Sequence, residues 1–185
     1  MPKPAKGNTP QPENPAKLIV DGAVTTNEWQ LVSREEAPQN LGADTLETTR
    51  LILPLEAWKT AKTELGDQSL RLGVWLDSDE AADLLGEDAR ALSVIAVHFP
   101  SFADGRGFTT GRLLRERYGF RGELRAVGNF MRDQLTYLRR CGFNAFAFQG
   151  DEPLEKLLAS LHDFSDSYQA AVDQPVPLFR RRGLA

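Results

Sequence analysis

Residues 92–129 read LSVIAVHFPSFADGRGFTTGRLLRERYGFRGELRAVGN. The stretch opens on an apolar run, Leu92–Phe99, and crosses a glycine-rich loop into a segment of helical period that reaches Tyr118. It returns to a short run at Glu123–Val127. Strand, helix and strand in that order predict one parallel crossover unit. The alternation continues on both sides, with further strands expected at Arg71–Leu76 and Phe143–Phe148. Asp77, Ser78 or Asp79 can cap a helix ending near Leu85, and Thr109 or Thr110 the one running to Tyr118. Met131, Leu135 and Leu138 fall at i, i+4 and i+7 on a helix that Gly142 stops. Asp151 then caps a helix with Pro153 in its first turn and Leu154, Leu157, Leu158 and Leu161 on one face. Repeated strand–helix units make this an α/β fold with a mainly parallel sheet, either open or partial barrel-like.

Upstream, Leu51-Ile52-Leu53 is a brief apolar run, and Pro54 followed by Leu55, Trp58 and Leu65 predicts a helix with proline at its start. Leu18–Val24 reads as a strand entering a turn, with Glu28-Trp29 closing a small N-terminal hairpin. Residues 33–49 are polar, without a sustained apolar period, and read as a surface loop. Residues 1–15 carry five prolines and two lysines but no apolar core of a secretion signal, so a disordered leader is expected. Residues 16–173 then form a single α/β domain. Residues 174–185 form an extended basic tail, because Pro175 and Pro177 block a continued helix. The tail either frays or docks Leu178 and Phe179 on its own core or on a partner.

A chain of 185 residues with 41% hydrophobic content supports one buried core. No apolar run approaches the roughly 18 residues of a membrane span, so a soluble, cytoplasmic protein is expected. The single cysteine, Cys141, excludes an internal disulfide framework, a four-cysteine iron–sulfur site and a cysteine-based zinc site within one chain. Two histidines supply too few further ligands for a dedicated transition-metal site, and no metal is expected.

The net charge of −4 conceals a basic island: residues 1–100 carry 9 basic and 16 acidic side chains, residues 101–145 carry 9 and 4, and residues 146–185 carry 4 and 6. All nine basic residues of the island are arginines, a planar, permanently charged donor group suited to oxyanions. Overall acidity, and the lack of aromatic residues interleaved with basic ones, argue against nucleic acid as the partner.

In sheets of strand–helix units, ligands bind at the carboxyl ends of the strands, where loops lead into helix N-termini. Three loops qualify: Phe99–Thr110, Gly128-Asn129 and Gln149-Gly150-Asp151. In the first, Asp104-Gly105-Arg106-Gly107 sets an arginine between two glycines ahead of a helix. It is either an anion site or a surface turn whose arginine pairs with Asp104. Arg112, Arg115 and Arg117 share a helix with Glu116 and read as a solvated face. Arg125 alternates with Leu124 and Ala126 on a strand, so its buried charge needs a partner: Asp133, Asp104 or a bound oxyanion. Arg132 and Asp133 open the helix after Gly128-Asn129. The anion- or partner-binding candidates are therefore Asp104, Gly105, Arg106, Gly107, Arg112, Arg125, Asn129, Arg132 and Asp133. Cys141 continues the Leu138 face and reads as core. His98 ends a buried strand near Arg106 and could serve as an acid or base, but no serine–aspartate pattern accompanies it. His162 lies beside the leucine face of a surface helix, and no catalytic residue is assigned.

The run Phe99-Pro100-x-Phe102-x-Asp104-Gly105-Arg106-Gly107-Phe108, then Gly111 to Gly128, and then Arg132-Asp133-Gln134-Leu135 to Arg140-Cys141-Gly142-Phe143-x-Ala145-Phe146, resembles the core of the bacterial family catalogued as domain of unknown function 934. The resemblance is dense over about 50 residues and extends from the Leu18 hairpin to the terminal Pro-Leu-Phe-Arg segment. Members are commonly labelled oxidoreductases involved in sulfite reduction, because their genes neighbour those of sulfite reductase and adenylyl-sulfate reductase. The resemblance thus implies a place in sulfur assimilation and cysteine biosynthesis. Asn129 and Asn144 stand where the family commonly has aspartate, and Phe108 where it has tyrosine, so no proton-transfer role carries over to them. Reduction of sulfite needs sirohaem and an iron–sulfur cluster, which one cysteine cannot ligate, and no nicotinamide or flavin fingerprint is present; no cofactor is visible. The resemblance implies an accessory protein that docks on sulfite reductase or adenylyl-sulfate reductase through an arginine-rich face. The alternative is a small enzyme or sensor binding a sulfur oxyanion or an adenylyl sulfate.

Overall fold

Asp21 and Gly22 both take positive φ, 49° and 76°, as a two-residue turn between right-twisted antiparallel strands requires. They join β1 (Lys17–Val20) to β2 (Ala23–Thr26), so the N-terminal hairpin closes here. Contrary to the sequence expectation, Glu28-Trp29 does not close it; Trp29 instead opens β3 (Trp29–Leu31). This computed structural model describes residues 15–38, 41 and 49–182. The expected leader, apart from Pro15, the loop at 39–40 and 42–48, and residues 183–185 of the tail lie outside the described residues.

The remaining elements follow the expected alternation. They are β4 (Arg50–Pro54), α1 (Leu55–Leu65), β5 (Gly73–Leu76), β6 (Val94–Phe99), α2 (Arg106–Glu116), β7 (Glu123–Gly128), α3 (Leu135–Arg140), β8 (Ala145–Ala147), α4 (Leu154–Ser160) and α5 (Leu178–Arg182). Between β5 and β6 the chain makes 3₁₀ turns at Ala82–Leu84 and Gly86–Ala91, where a helix was expected. Thr109 and Thr110 do not cap α2, which starts three residues earlier at Arg106, its first turn closed by the Asp104 carboxylate accepting the Arg106 N–H at 3.2 Å. Met131 precedes its helix and is exposed, so it leaves the Leu135–Leu138 face. Gly142 ends α3 with φ 99°, as expected. The tail is not extended throughout. No proline follows Pro177, whose carbonyl accepts the Arg180 and Arg181 N–H groups and starts α5.

The eight strands form one sheet in the order β2-β1-β8-β7-β6-β5-β4-β3, parallel from β3 to β8 and antiparallel within the β1–β2 hairpin and where β1 joins β8. One face packs on the helices: Leu53, Val74, Ile95, Val97, Leu124 and Phe146 meet Trp58 of α1, Leu114 of α2, Leu138 of α3 and Leu157 of α4. The other face carries Leu31, Ile52, Trp75, Val94, Ala96, Val127 and Ala147, with no helix residue among them. Those side chains are buried because the sheet curls on itself into an open half-barrel. Its two edges, β2 and β3, are consecutive in the chain and linked by Asn27-Glu28.

Arg125 lies inside that curl, 2% exposed. Its neighbours on the flanking strands are Ala96 and Ala145, small residues that leave space for a guanidinium. Its partners among the described residues are Glu123 and Asn27, not Asp133 or Asp104. Nε donates to Glu123 at 2.6 Å, and Nη1 donates to Asn27 at 3.0 Å. Asn27 sits at the edge linkage, so the contact brings the edge of the sheet to β7 across the interior. Strand pairing alone separates them by two intervening strands.

Candidate active and docking site at the strand ends

All six parallel strands point their carboxyl ends to one side, and three loops leave from β6, β7 and β8 there. They meet around a cleft of about 710 Å³, lined by Phe102 from the first loop, Asn129 and Phe130 from the second, and Phe148, Gln149 and Gly150 from the third. The three loops singled out by the strand-end argument thus share one concavity. Phe130 stands edge-on to Phe148 at 5.8 Å and to Phe99 at 6.3 Å, which fixes the cleft wall to the core. Asn129 donates to the Pro100 carbonyl and Gln134 to the Phe102 carbonyl, tying the first and second loops together.

Next to the cleft, β5 and β6 set two titratable groups side by side. Their register pairs Leu76 with Val97, so the following residues, Asp77 and His98, are neighbours. His98 Nδ1 lies 3.0 Å from Asp77 Oδ1, and the imidazole side chain is only 3% exposed. Burial opposes the Asp77 charge, but hydrogen bonds from His98 and the Ser78 N–H, with the nearby Arg34, outweigh it and hold the carboxyl below its ordinary value. Arg34 bridges Asp77 and Glu80 while its guanidinium lies 5.1 Å over the Trp75 ring. The Asp77 carboxylate can accept from an Nδ1–H, and the other ring nitrogen is Nε2. That atom is buried without a hydrogen-bond partner among the described residues.

The nine candidates from sequence divide into separate places. Asn129, Arg132 and Asp133 line the cleft. Arg132 also donates to Ser160 at 2.6 Å and pairs with Glu152 at 3.2 Å. Arg106 grips Asp104 with two nitrogens, at 2.9 and 2.6 Å, and donates to Ser78 at 2.8 Å. That guanidinium holds the Asp104 carboxyl far below the usual carboxylate range. Gly105 borders α2, while Gly107 lies where a Cβ would come within 2.7 Å of the Phe99 ring. Close packing of α2 on β6 therefore requires Gly107 without any ligand. Arg112 pairs with Glu116 one turn on, at the surface, and Arg125 is enclosed in the sheet.

The profile of the family described as "Bacterial protein of unknown function (DUF934)" matches residues 73–179. The chain belongs to this family. No curated protein matches it. The part of this DUF934 chain that the profile covers runs from the start of β5 into α5 and includes the whole cleft, Asp77 and His98. No group of three or more histidine, cysteine or acidic side chains placed to hold a metal occurs among the described residues. No helix among them is long and apolar enough to cross a membrane.

Two features of this DUF934 chain arise only from tertiary pairing. Asp77 reads as a helix cap and His98 as a solitary histidine until strand register joins them; an acidic residue ending one strand and a histidine ending the next was the available signal. Arg115 reads as solvated, yet it donates to the Gly142, Phe120 and Gly122 carbonyls and to Asn144, all at 2.9 Å. Arg139 and Arg140 likewise reach Asp173. Much of the basic island braces the chain from within.

Proposed function

We propose that this protein is a cytoplasmic accessory protein of assimilatory sulfate and sulfite reduction, and so of cysteine biosynthesis, that docks on sulfite reductase or adenylyl-sulfate reductase with its strand-end face. The pathway rests on the family resemblance. The docking surface rests on one observation: Phe102 and Met131, 60% and 49% exposed, line the cleft, and Tyr137, 57% exposed, stands on the following helix α3 against Phe108. Aromatic and methionine side chains are the types enriched where proteins meet. The arginines contribute at the rim, since Arg106, Arg112 and Arg132 already have acidic partners within the chain. For the same reason an oxyanion-binding enzyme or sensor built on Arg106 and Arg125 has less support: each guanidinium already meets a carboxylate.

A deletion strain grown on sulfate, sulfite, sulfide or cysteine tests the pathway. Growth restored by sulfide and cysteine but not by sulfite places the protein at the sulfite step. Unimpaired growth on all four sources removes the protein from the pathway.

A further inference from the structure

The stretch 161–177, between α4 and α5, contains no helix or strand, yet its backbone is fixed from two sides. On one side Arg140 donates to the Gln169 carbonyl at 2.6 Å, its own carbonyl accepts the Val172 N–H, and Arg139 and Arg140 both reach Asp173. On the other, Arg181 donates to the Asp166 carboxylate and the Ser167 carbonyl, each at 3.0 Å, and the Tyr168 carbonyl accepts the Leu178 N–H at 3.1 Å. Segments 166–168 and 178–181 therefore lie side by side. Three arginines hold in place a loop in which every residue from 162 to 170 except Ser167 is exposed.

What this fixed backbone presents to water is aromatic. Phe164, Tyr168 and Phe179 are 66%, 64% and 60% exposed, and the first two are the most exposed large hydrophobic side chains among the described residues. Phe179 follows the Leu178 that Tyr168 binds, and Phe164 stands two residues before Asp166, so all three ride on the same bonded pair of segments. A braced backbone carrying aromatic side chains outward is pre-organised for a protein partner, because contact leaves little further ordering to be done.

The charges around the rings identify that partner. Arg180, whose guanidinium lies 5.9 Å from the Phe179 ring centroid, and Arg182 have no acidic partner among the described residues; only Arg181 between them does. Asp163, next to Phe164, has no cationic partner among them either. One patch thus combines apolar rings with open charges of both signs. A two-fold interface sets a patch against its own copy and must complement itself, which a patch of both signs around aromatic rings does. Two open arginines beside an aspartate are too few for binding dominated by phosphates, whether of a nucleic acid or of a lipid surface.

We infer that residues 163–182 form the interface of a two-fold homodimer, in which Phe164, Tyr168 and Phe179 of the two copies pack together and Arg180 and Arg182 of each copy face Asp163 of the other. The inference does not rest on the proposed place in sulfur metabolism.

Sedimentation velocity of the full chain over two decades of micromolar concentration tests it. The chain should sediment as a dimer that dissociates on dilution and weakens with added salt. Phe164→Ser/Phe179→Ser, at an unchanged melting temperature, should raise the dissociation constant by roughly tenfold or more. Arg180→Asp/Arg182→Asp and Asp163→Arg should each weaken self-association, and an equimolar mixture of those two variants should restore it, because the mixed pair regains opposite charges at both ends of the interface. Structural damage alone would not be repaired by mixing. If a variant is unstable, amide hydrogen exchange of the unaltered chain decides: protection at 164–168 and 179–182 should rise with concentration. A monomer at every concentration, a dimer that the aromatic variant leaves intact, a mixture of stable variants no tighter than its components, or unchanged exchange at these segments would each overturn the inference. So would a monomer that instead sediments with phosphatidylserine vesicles or a single-stranded oligonucleotide through Phe164 and Phe179. No reductase enters the assay, so its failure leaves the docking reading untouched.

Discussion

Replacing Arg115 by alanine separates a structural arginine from a solvated one on the same helix. The side chain leaves α2 near its end and donates four hydrogen bonds, three of them to the carbonyls of Gly142, Phe120 and Gly122. The fourth goes to Asn144 Oδ1, which keeps the Leu124 N–H at 2.7 Å when the arginine is lost. Truncation therefore strands three half-buried carbonyls and removes the guanidinium from its place 4.9 Å over the Phe120 ring. Burial draws the Arg115 pKa down to about 10, which still leaves it protonated at neutral pH and every donor in use. At about 1–3 kcal/mol for each unsatisfied buried group, moderated by water reaching the vacated space, the loss comes to about 3–5 kcal/mol. A domain of ordinary stability has about 5–15 kcal/mol in all. Urea denaturation reads this directly: with a slope of about 1–3 kcal/mol per M, the midpoint should fall by roughly 2 M. Arg112→Ala, which breaks only the exposed pair with Glu116, should cost about 0.3–0.5 kcal/mol. Equal midpoints for the two variants would refute the assignment of Arg115 as a brace.

Two further outcomes follow from the buried titratable groups. Asp77 and Asp104 both lie below the ordinary carboxylate value of 3.8 in the folded chain, so their stabilisation is complete above that value and is lost as pH falls through the lower folded values. The variant Asp77→Asn with Asp104→Asn should be less stable at pH 7 but lose less on acidification to pH 2; parallel stability curves for the two proteins would contradict this. Cys141 is buried at the end of α3, and burial pushes its thiol up, so a disulfide reagent should label it only after denaturation. Stoichiometric labelling of the native protein within seconds would show that the thiol is not core.

What the sequence revealed depended on how local the cause was. Leu92–Phe99 is read from composition, because a strand buried on both faces must be apolar nearly throughout, and Glu123–Val127 from its alternation; the observed β6 and β7 match them within two residues. Pro54 and Gly142 marked the ends of α1 and α3 through their own backbone restrictions. The curl of the sheet was not legible, since it brings together residues far apart in the chain, as Asn27 and Arg125 are across 98 positions. The Asp77–His98 pair depends on the register between β5 and β6, which no local pattern encodes. Arg115 was misread for a related reason: helical periodicity placed it beside Glu116, but the chain after α2 folds back and supplies the carbonyls. Of the site itself, the three loops were identified from the strand-end rule, whereas the aromatic and amide lining, and the internal pairing of the arginines, emerged only when the loops were brought together.

Docking by the strand-end face is the central claim, and co-purification tests it most directly. The tagged chain and its Phe102→Ser/Tyr137→Ser variant are incubated, at low salt, with purified sulfite reductase and with adenylyl-sulfate reductase. The account predicts that the unaltered chain retains one of the two reductases and that the variant, with an unchanged melting temperature, retains neither. Retention of neither enzyme by the unaltered chain, or equal retention by both forms, would contradict it.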